Sequence, residues 1–260
     1  MSTFLIGVDG RGTDAVAFGT HLATATGART VEATVAGRPA PALHDLAIEQ
    51  GADLVIVGPT HTGRFGRVLP GATGERLLHD APYAVAVVPH GYAARPVERI
   101  GVAYDGTPSA DAAVAAAAGL ARTFDAVLEV IGVAEPELGD TPGFVDGHAL
   151  VAMAQDAERR VDATLEAVVR ELPYGVRARP VRLNGEPATV LARRSAQLDL
   201  LVTGTRGFGP LRAVLTFAVS GRVQRTAACP VIAVPQTFNG RIAGAINVAS
   251  ASPIITAMSA

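Results

Sequence analysis

Glycines and hydroxyl side chains that follow short apolar runs are the residues of this chain whose types and spacing point to chemistry. In the second half, Gly204 follows the mostly apolar run 199–203, and Gly207 comes three residues later. Glycine lets a phosphate approach the backbone closely, and the first N–H groups of a following helix favour an anion. A hydroxyl there can bond a phosphate oxygen, and arginine would have to balance the phosphate charge because the chain has no lysine. A phosphate-binding loop after this run is therefore one interpretation of the glycines.

The first half carries a similar but less regular set. Gly58 follows the apolar run 53–57, and Gly71 and Thr73 come later in the same stretch. Glycines after strands also serve tight turns and close helix packing, so a purely structural interpretation stays open for both halves.

Two aspartates begin the corresponding segments of the two halves. Asp9 and Asp105 each end an apolar run and are followed by glycine. Each is either a ligand-contacting carboxylate or a turn residue before a helix. The helix after the second aspartate has clear start signals, a capping hydroxyl at Thr107 and a proline at position 108.

The composition excludes several classes of site. All 22 basic residues are arginine, so a Walker A phosphate loop and lysine Schiff-base chemistry are ruled out. A net charge of -2 gives no reason to expect nucleic acid or an anionic membrane as a partner. The six histidines show no metal-ligand spacing, and no nucleophile stands with a base. We therefore expect a protein that is not an enzyme.

The single cysteine, Cys229, cannot form an internal disulfide, which suits a reducing compartment. It precedes an apolar run and is predicted to be a buried structural thiol. The first residues lack the basic segment and longer apolar stretch of a signal peptide. A cytoplasmic location is therefore expected.

The chain repeats itself, which predicts two α/β domains. Short apolar runs alternate with helical segments in both halves, as in βαβ units with a parallel sheet. The offset between halves is 96 from Asp9 to Asp105 but 146 from Gly58 to Gly204. The additional residues, about 126–173, contain a strand and a long helix, so the first domain is expected to lack one of each. The predicted domains are 1–94 and 95–236, followed by a flexible C-terminal tail, 237–260.

Four shared features make the chain resemble the universal stress protein family in its tandem two-domain form. They are the Asp-Gly after the first strand, the Gly-x-Pro-Ala helix start (37–40 and 185–188), the strand at 53–58 and 199–204, and the glycine loop after that strand. The resemblance covers about residues 3–236. It implies two tandem flavodoxin-like domains, each a doubly wound parallel sheet, the first one shortened.

Neither glycine loop matches the family's nucleotide-binding pattern completely. That pattern is Gly, two residues, Gly, nine residues, Gly, then Ser or Thr. The second half has Phe217 and Ala218 at the late pair, and the first half has His61 at the second glycine and Ala72 at the hydroxyl position.

The resemblance nevertheless implies an adenine nucleotide, ATP or AMP with Mg²⁺, as the ligand. It implies that the nucleotide is held by the strand-one aspartates, the glycine loops and Val133 beside the adenine. The residues expected at the two sites are Asp105, Val133, Gly204, Arg206, Gly207 and Ser220 in the second half, and Asp9, Gly58, Gly71 and Thr73 in the first.

The resemblance also implies that the last strands of the domains, Val85–Val88 and Val231–Val234, pair across a pseudo-twofold interface, with further self-association as a dimer. The expected function is a stress-response protein that binds, senses or stores an adenine nucleotide. Two alternatives remain open: a degenerate protein-interaction module that binds no nucleotide, and a slow ATP hydrolase.

Overall fold

The computed structural model describes residues 1–8, 13–34, 39–58, 77, 81–134, 147–205, 219, 222–224, 226–238 and 242. Within them, nine strands form one sheet with helices on both faces. The strands are β1 (Thr3–Val8), β2 (Arg29–Thr34), β3 (Leu54–Val57), β4 (Ala84–Val87), β5 (Arg99–Ala103), β6 (Val127–Ala134), β7 (Ala178–Asn184), β8 (Leu200–Thr205) and β9 (Val231–Pro235). The helices are α1 (Asp14–Thr26), α2 (Pro39–Glu49), α3 (Pro108–Phe124), α4 (Gly147–Glu171) and α5 (Pro187–Ser195).

The strand order is β2-β1-β3-β4-β9-β8-β5-β6-β7. All neighbours are parallel except β4 and β9, which are antiparallel. The first four strands come from the first half of the chain and the other five from the second. Both half-sheets are doubly wound, because the chain moves outward from the first strand of each half and then returns to its other side. The predicted fold class, including the shortened first half, is confirmed.

The shortening changes which strand lies beside the first strand. By sequence, β2 corresponds to β7, because each is followed by the Gly-x-Pro-Ala helix start. In the sheet, however, β2 pairs directly with β1, as β6 pairs with β5. Without a counterpart of β6, the edge of β1 is left open, and the next strand of the chain pairs there. In both halves a strand therefore pairs with the outer edge of the first strand, β2 with β1 and β6 with β5.

The strands β4 and β9 join the two halves. Val85 lies opposite Ala233, Ala86 opposite Ile232 and Val87 opposite Val231. The predicted pairing of these segments is confirmed within the chain. Both edges of each strand are thereby occupied, since β4 also pairs with β3 and β9 with β8. Self-association with a second chain stays a prediction.

Burial differs between the two faces of the sheet. On one face, α1, α3 and α4 cover a single buried cluster that runs from Phe4 and Phe18 in the first half to Leu165 in the second. On the other face, α2 and α5 cover two separate clusters. The halves therefore share the large core on one face, whereas on the other face β9 contributes Ala233 to the cluster under α2.

The start of the predicted C-terminal tail belongs to the shared core. Phe238 and Ile242 are each 2% exposed and lie in the cluster that spans both halves. Burying these two large apolar side chains in the shared core removes them from water, which stabilises the fold. Residues 243–260 lie outside the described residues.

Helix α3 forms where its start signals place it. The Thr107 side chain accepts a hydrogen bond from the Ala110 N–H, and Pro108 occupies the first helical position. Alanines on its buried side allow close packing on β5, β8 and β9. None of the described helices has the length and apolar character needed to cross a membrane.

The segment between the halves is fixed at both ends. His90 Nδ1 lies 3.1 Å from Asp14 Oδ2 at the start of α1. Arg95 Nε lies 3.0 Å from Asp199 Oδ1, and Arg95 Nη2 donates to the Leu198 carbonyl. Between these anchors, Tyr92 packs edge-on against Phe18.

Glu129 is a fully buried carboxylate in β6. Arg194 of α5 donates from Nε to Oε2 at 2.9 Å and from Nη2 to Oε1 at 2.7 Å, and Arg179 of β7 also pairs with it. Burial alone would raise the pKa of this carboxyl, but the hydrogen bonds from Arg194 and Arg179 hold its pKa below the usual value. The cluster ties α5 and β7 to β6.

Replacing Ile232 by glutamate should separate the halves. Its side chain is fully buried opposite Ala86, so the variant buries an unpaired charge in the shared core. We expect a loss of about 4 kcal/mol or more in the free energy of unfolding, measured by urea denaturation. Ile48→Glu is the matched control, because Ile48 is 51% exposed on α2. Equal stability of the two variants would contradict the importance of the β4–β9 contact.

Glu129→Gln should destabilise the chain by about 3 kcal/mol at pH 7, because both arginines lose their charged partner. The folded pKa of Glu129 lies below its unfolded value. The ion-pair stabilisation is therefore present above about pH 4.3 and is lost as the pH falls through the folded pKa. Urea midpoints at pH 7 and pH 3 should show the difference between Glu129→Gln and the unaltered chain shrinking in acid. The exposed Glu166→Gln should show neither effect.

Candidate functional site

The carboxyl ends of β5 and β8 meet at the point where the winding of the second half reverses. From β5 the chain goes outward to β6 and β7, and it then returns to the other side of β5 as β8. Open α/β sheets bind ligands at such reversal points. The residues predicted for the second half begin there, with Asp105 two residues after β5 and Gly204 near the end of β8.

Asp105 organises the turn that leads into α3. Its Oδ1 accepts hydrogen bonds from the Thr107 N–H at 3.2 Å and from Thr107 Oγ1 at 2.6 Å. Gly106 between them has φ +75°, a left-handed value that side chains rarely adopt. Thr107 Oγ1 in turn accepts from the Ala110 N–H at 3.4 Å. The turn interpretation of Asp105 is thus realised in the structure.

Gly204 lies against the first turn of α3. A Cβ atom at this position would come within 2.5 Å of the Ser109 carbonyl oxygen and 2.9 Å of the Ala110 nitrogen. These are backbone atoms of a helix, which cannot move away cheaply. Close packing therefore requires a glycine here, whatever ligand the loop binds.

Gly58, the counterpart in the first half, has a different environment. A Cβ atom built on it would meet nothing within 4 Å among the described residues. Among those residues, packing requires a glycine at Gly204 but not at Gly58.

Val133 lies at the carboxyl end of β6, next to β5. Its side chain is partly buried and packs against the cluster around Ile131 and Leu201 on the α5 face. Continuing the β5–β6 register by two residues from Ala103 and Ile131 brings Val133 level with Asp105. The strand order thus places these two predicted residues on adjacent strands at the same level.

The described register of the first half ends where Val8 pairs with Thr34. Asp9, the residue predicted at this site in the first half, follows Val8 and lies outside the described residues.

A partly buried hydroxyl–carboxylate pair links β5 to α3 next to Asp105. Tyr104 donates from its hydroxyl to Asp111 Oδ1 at 3.0 Å, linking the end of β5 to α3. Burial raises the pKa of the Tyr104 hydroxyl, and the charge of Asp111 adds to this. Burial also raises the pKa of Asp111, while the hydrogen bond from Tyr104 opposes that rise. This link holds the first turn of α3 beside β5.

An aspartate precedes β8 in the second half and β3 in the first half, and it has the same structural role in both. Asp199 Oδ2 accepts from the N–H groups of Glu98 and Arg99 at 2.9 Å each, and Asp53 Oδ2 accepts from the Thr3 N–H at 2.9 Å. In each half this carboxylate fixes the start of the first strand, β5 or β1.

The Gly-x-Pro-Ala motif proves to be a helix cap. Glu186 accepts hydrogen bonds from the Ala188 and Thr189 N–H groups at the start of α5. Arg222, which follows the glycine loop, donates to both oxygens of the same carboxylate at 2.9 and 3.2 Å. The hydroxyl of Thr189 and these backbone bonds lower the pKa of Glu186. This contact ties the segment after the loop to α5.

Six predicted site residues lie outside the described residues: Asp9, Gly71, Thr73, Arg206, Gly207 and Ser220. Cys229 is buried as predicted, and burial raises the pKa of its thiol to about 12. Among the described residues, no group of three or more His, Cys, Asp or Glu side chains could hold a metal ion.

The different packing of Gly204 and Gly58 can be tested with one pair of variants. Gly204→Ala should cost about 2 kcal/mol of stability, because the new methyl forces α3 away from β8. Gly58→Ala, with open space around it, should change the urea midpoint little. If both variants unfold at the midpoint of the unaltered chain, the contact of Gly204 with Ser109 is not a packing constraint.

Comparison with known proteins was made on sequence and on structure. The family model of the universal stress protein family matches residues 7–89 and 96–235. A universal stress protein of Mycobacterium tuberculosis strain H37Rv is 28% identical over 200 residues, covering 74% of this chain and 68% of that protein. The crystal structure of a universal stress protein from Archaeoglobus fulgidus covers 90% of this chain and 98% of its own, with a TM-score of 0.61 and 17% identity.

That structure supports the fold alone, because the identity is low. The match of the family model to both halves carries the assignment, since it covers most of the chain. It agrees with the repeat, the strand order and the loop positions described above. The chain belongs to the universal stress protein family.

Proposed function

We propose that this protein binds an adenine nucleotide at the carboxyl edge of its second half-sheet, and that it senses or stores the nucleotide without efficient catalysis. The observation that carries the proposal is the position of three residues at one edge of the sheet: Asp105 follows β5 at the reversal point, and Gly204 and Val133 lie on β8 and β6, the strands on either side. The nucleotide class rests on family membership and on the likeness of the Gly204 loop to that of nucleotide-binding members.

The two sides of this point suit different parts of a nucleotide. On the β6 side, Val133 offers an apolar wall for a base, and Asp105 lies level with it on the next strand. On the β8 side, Gly204 and Thr205 lead into the loop with Arg206 and Gly207. The α3 start is already capped by Thr107, so the loop after β8 is the better place for phosphates. Arginine and Mg²⁺ would balance their charge.

The hydrogen bonds made by the Asp105 carboxylate favour binding over catalysis at this site. The Asp105 carboxylate accepts two hydrogen bonds from Thr107, which makes it a weak candidate for a general base. The described residues at the carboxyl ends of β5, β6 and β8 include no histidine. A chain that holds a nucleotide without a positioned base is suited to sensing or storage.

A thermal-shift titration tests the proposal, with ATP and magnesium, AMP, cyclic AMP and, as the base control, GTP. A ligand at a hundred times its dissociation constant stabilises the folded chain by about 2.7 kcal/mol, a shift of roughly 5–10 °C. We expect this shift for an adenine nucleotide and not for GTP. Gly207→Val should remove it, whereas Gly71→Val in the first half should retain it. Phosphate release above a buffer control would contradict the absence of catalysis.

If no nucleotide shifts the transition at millimolar concentration, the proposal is wrong. The loop glycines would then be structural, as the contact of Gly204 with Ser109 already is for that position. The two-domain unfolding should be followed by circular dichroism as well, so that a shift in one half is not averaged out.

A further inference from the structure

A cleft of about 550 Å³ lies where the first half meets the amino-terminal ends of β5 and β6. It is at the opposite edge of the second half-sheet from the proposed nucleotide site. Its volume is in the range of small-molecule sites, which often lie between domains. The lining residues are His21, Pro96, Val97, Glu98, Arg99, Phe124, Asp125, Val127 and Arg177.

One wall of the cleft is a stacked ring pair contributed by both halves. His21 of α1 and Phe124 at the end of α3 have centroids 5.7 Å apart and planes inclined by 15°. Nε2 of His21 is buried and has no hydrogen-bond partner within the described part of the chain. The two rings therefore give the cleft an aromatic wall to which both halves contribute.

The other lining residues include two acidic and two basic side chains. Arg177 pairs with Asp125 at 3.1 Å, so these two balance each other. Glu98 and Arg99 differ: their backbone N–H groups bind Asp199, but within the described residues neither side chain has an ion pair. Both are exposed lining residues, so one carboxylate and one guanidinium are accessible to a ligand beside the aromatic wall.

We propose that this cleft binds an aromatic amino acid as its zwitterion. The ligand carboxylate pairs with Arg99, whose guanidinium matches carboxylate geometry, and the ligand ammonium pairs with Glu98. The ligand ring packs against His21 and Phe124. This is a second site, separate from the nucleotide site, and it does not depend on that site being functional.

The experiment uses the full chain labelled with ¹⁵N and L-phenylalanine as the probe. We expect saturable amide shifts at residues 97–99, 124–127 and 177, with little change around Asp105 and Gly204. Two analogues divide the ligand: 3-phenylpropionate lacks the ammonium, and phenethylamine lacks the carboxylate. Each should bind more weakly than L-phenylalanine.

Charge-removing variants then assign the contacts. Arg99→Gln should weaken L-phenylalanine and 3-phenylpropionate about tenfold, and Glu98→Gln should do the same for L-phenylalanine and phenethylamine. Each variant should leave the other analogue unaffected. Arg29→Gln is the matched control, since Arg29 is an exposed arginine at the first position of β2. Circular dichroism confirms that the variants fold.

The proposal is overturned if L-phenylalanine causes no saturable shifts up to about 10 mM, a concentration at which even a site with millimolar affinity would fill. It is also overturned if Arg99→Gln and Glu98→Gln bind the probe as tightly as the unaltered chain.

Discussion

Three residue pairs between β4 and β9, from Val85–Ala233 to Val87–Val231, join two half-sheets into one. This pairing sets how the two halves are placed relative to each other within the sheet. It brings α1 and α3 onto one face, where they share a buried cluster, and it leaves the other face with two separate cores. Because β4 and β9 are antiparallel, the carboxyl ends of the first-half strands lie at the same edge of the sheet as the amino-terminal ends of the second-half strands.

The shortened first half shows what a parallel sheet tolerates. A strand and a helix are missing, yet β1 is not left with an open edge, because β2 pairs with it along six residues. The strand face that a counterpart of α4 would cover carries Thr30, Glu32 and Thr34, all exposed. Polar residues there remove the need for a covering helix.

The residues at the candidate site also have structural roles. Gly204 is required by the α3 backbone, and Asp105 holds the turn before that helix. A glycine motif is therefore insufficient evidence for a ligand, and the family assignment and the strand reversal have to support it. Conversely, a structural requirement does not oppose binding, because the same residues lie at the strand reversal where open α/β sheets bind ligands.

The sequence by itself determined the repeat, the fold class, the missing strand and helix, the pairing segments and the start of α3. The strands, helices and the start of α3 follow from local signals, namely apolar periodicity, caps and turn glycines, which act over a few residues. The repeat and the missing segment follow from comparing the two halves, and the pairing segments from the resemblance to the family. Only the tertiary structure decided that β2 takes the place of β6, that Gly204 is sterically required while Gly58 is not, and that Phe238 and Ile242 enter the core. It also decided that Glu129 is a buried charge and that Glu98, Arg99, His21 and Phe124 share a cleft. Such features arise from contacts between residues far apart in the chain, and no local pattern encodes which distant side chains will meet.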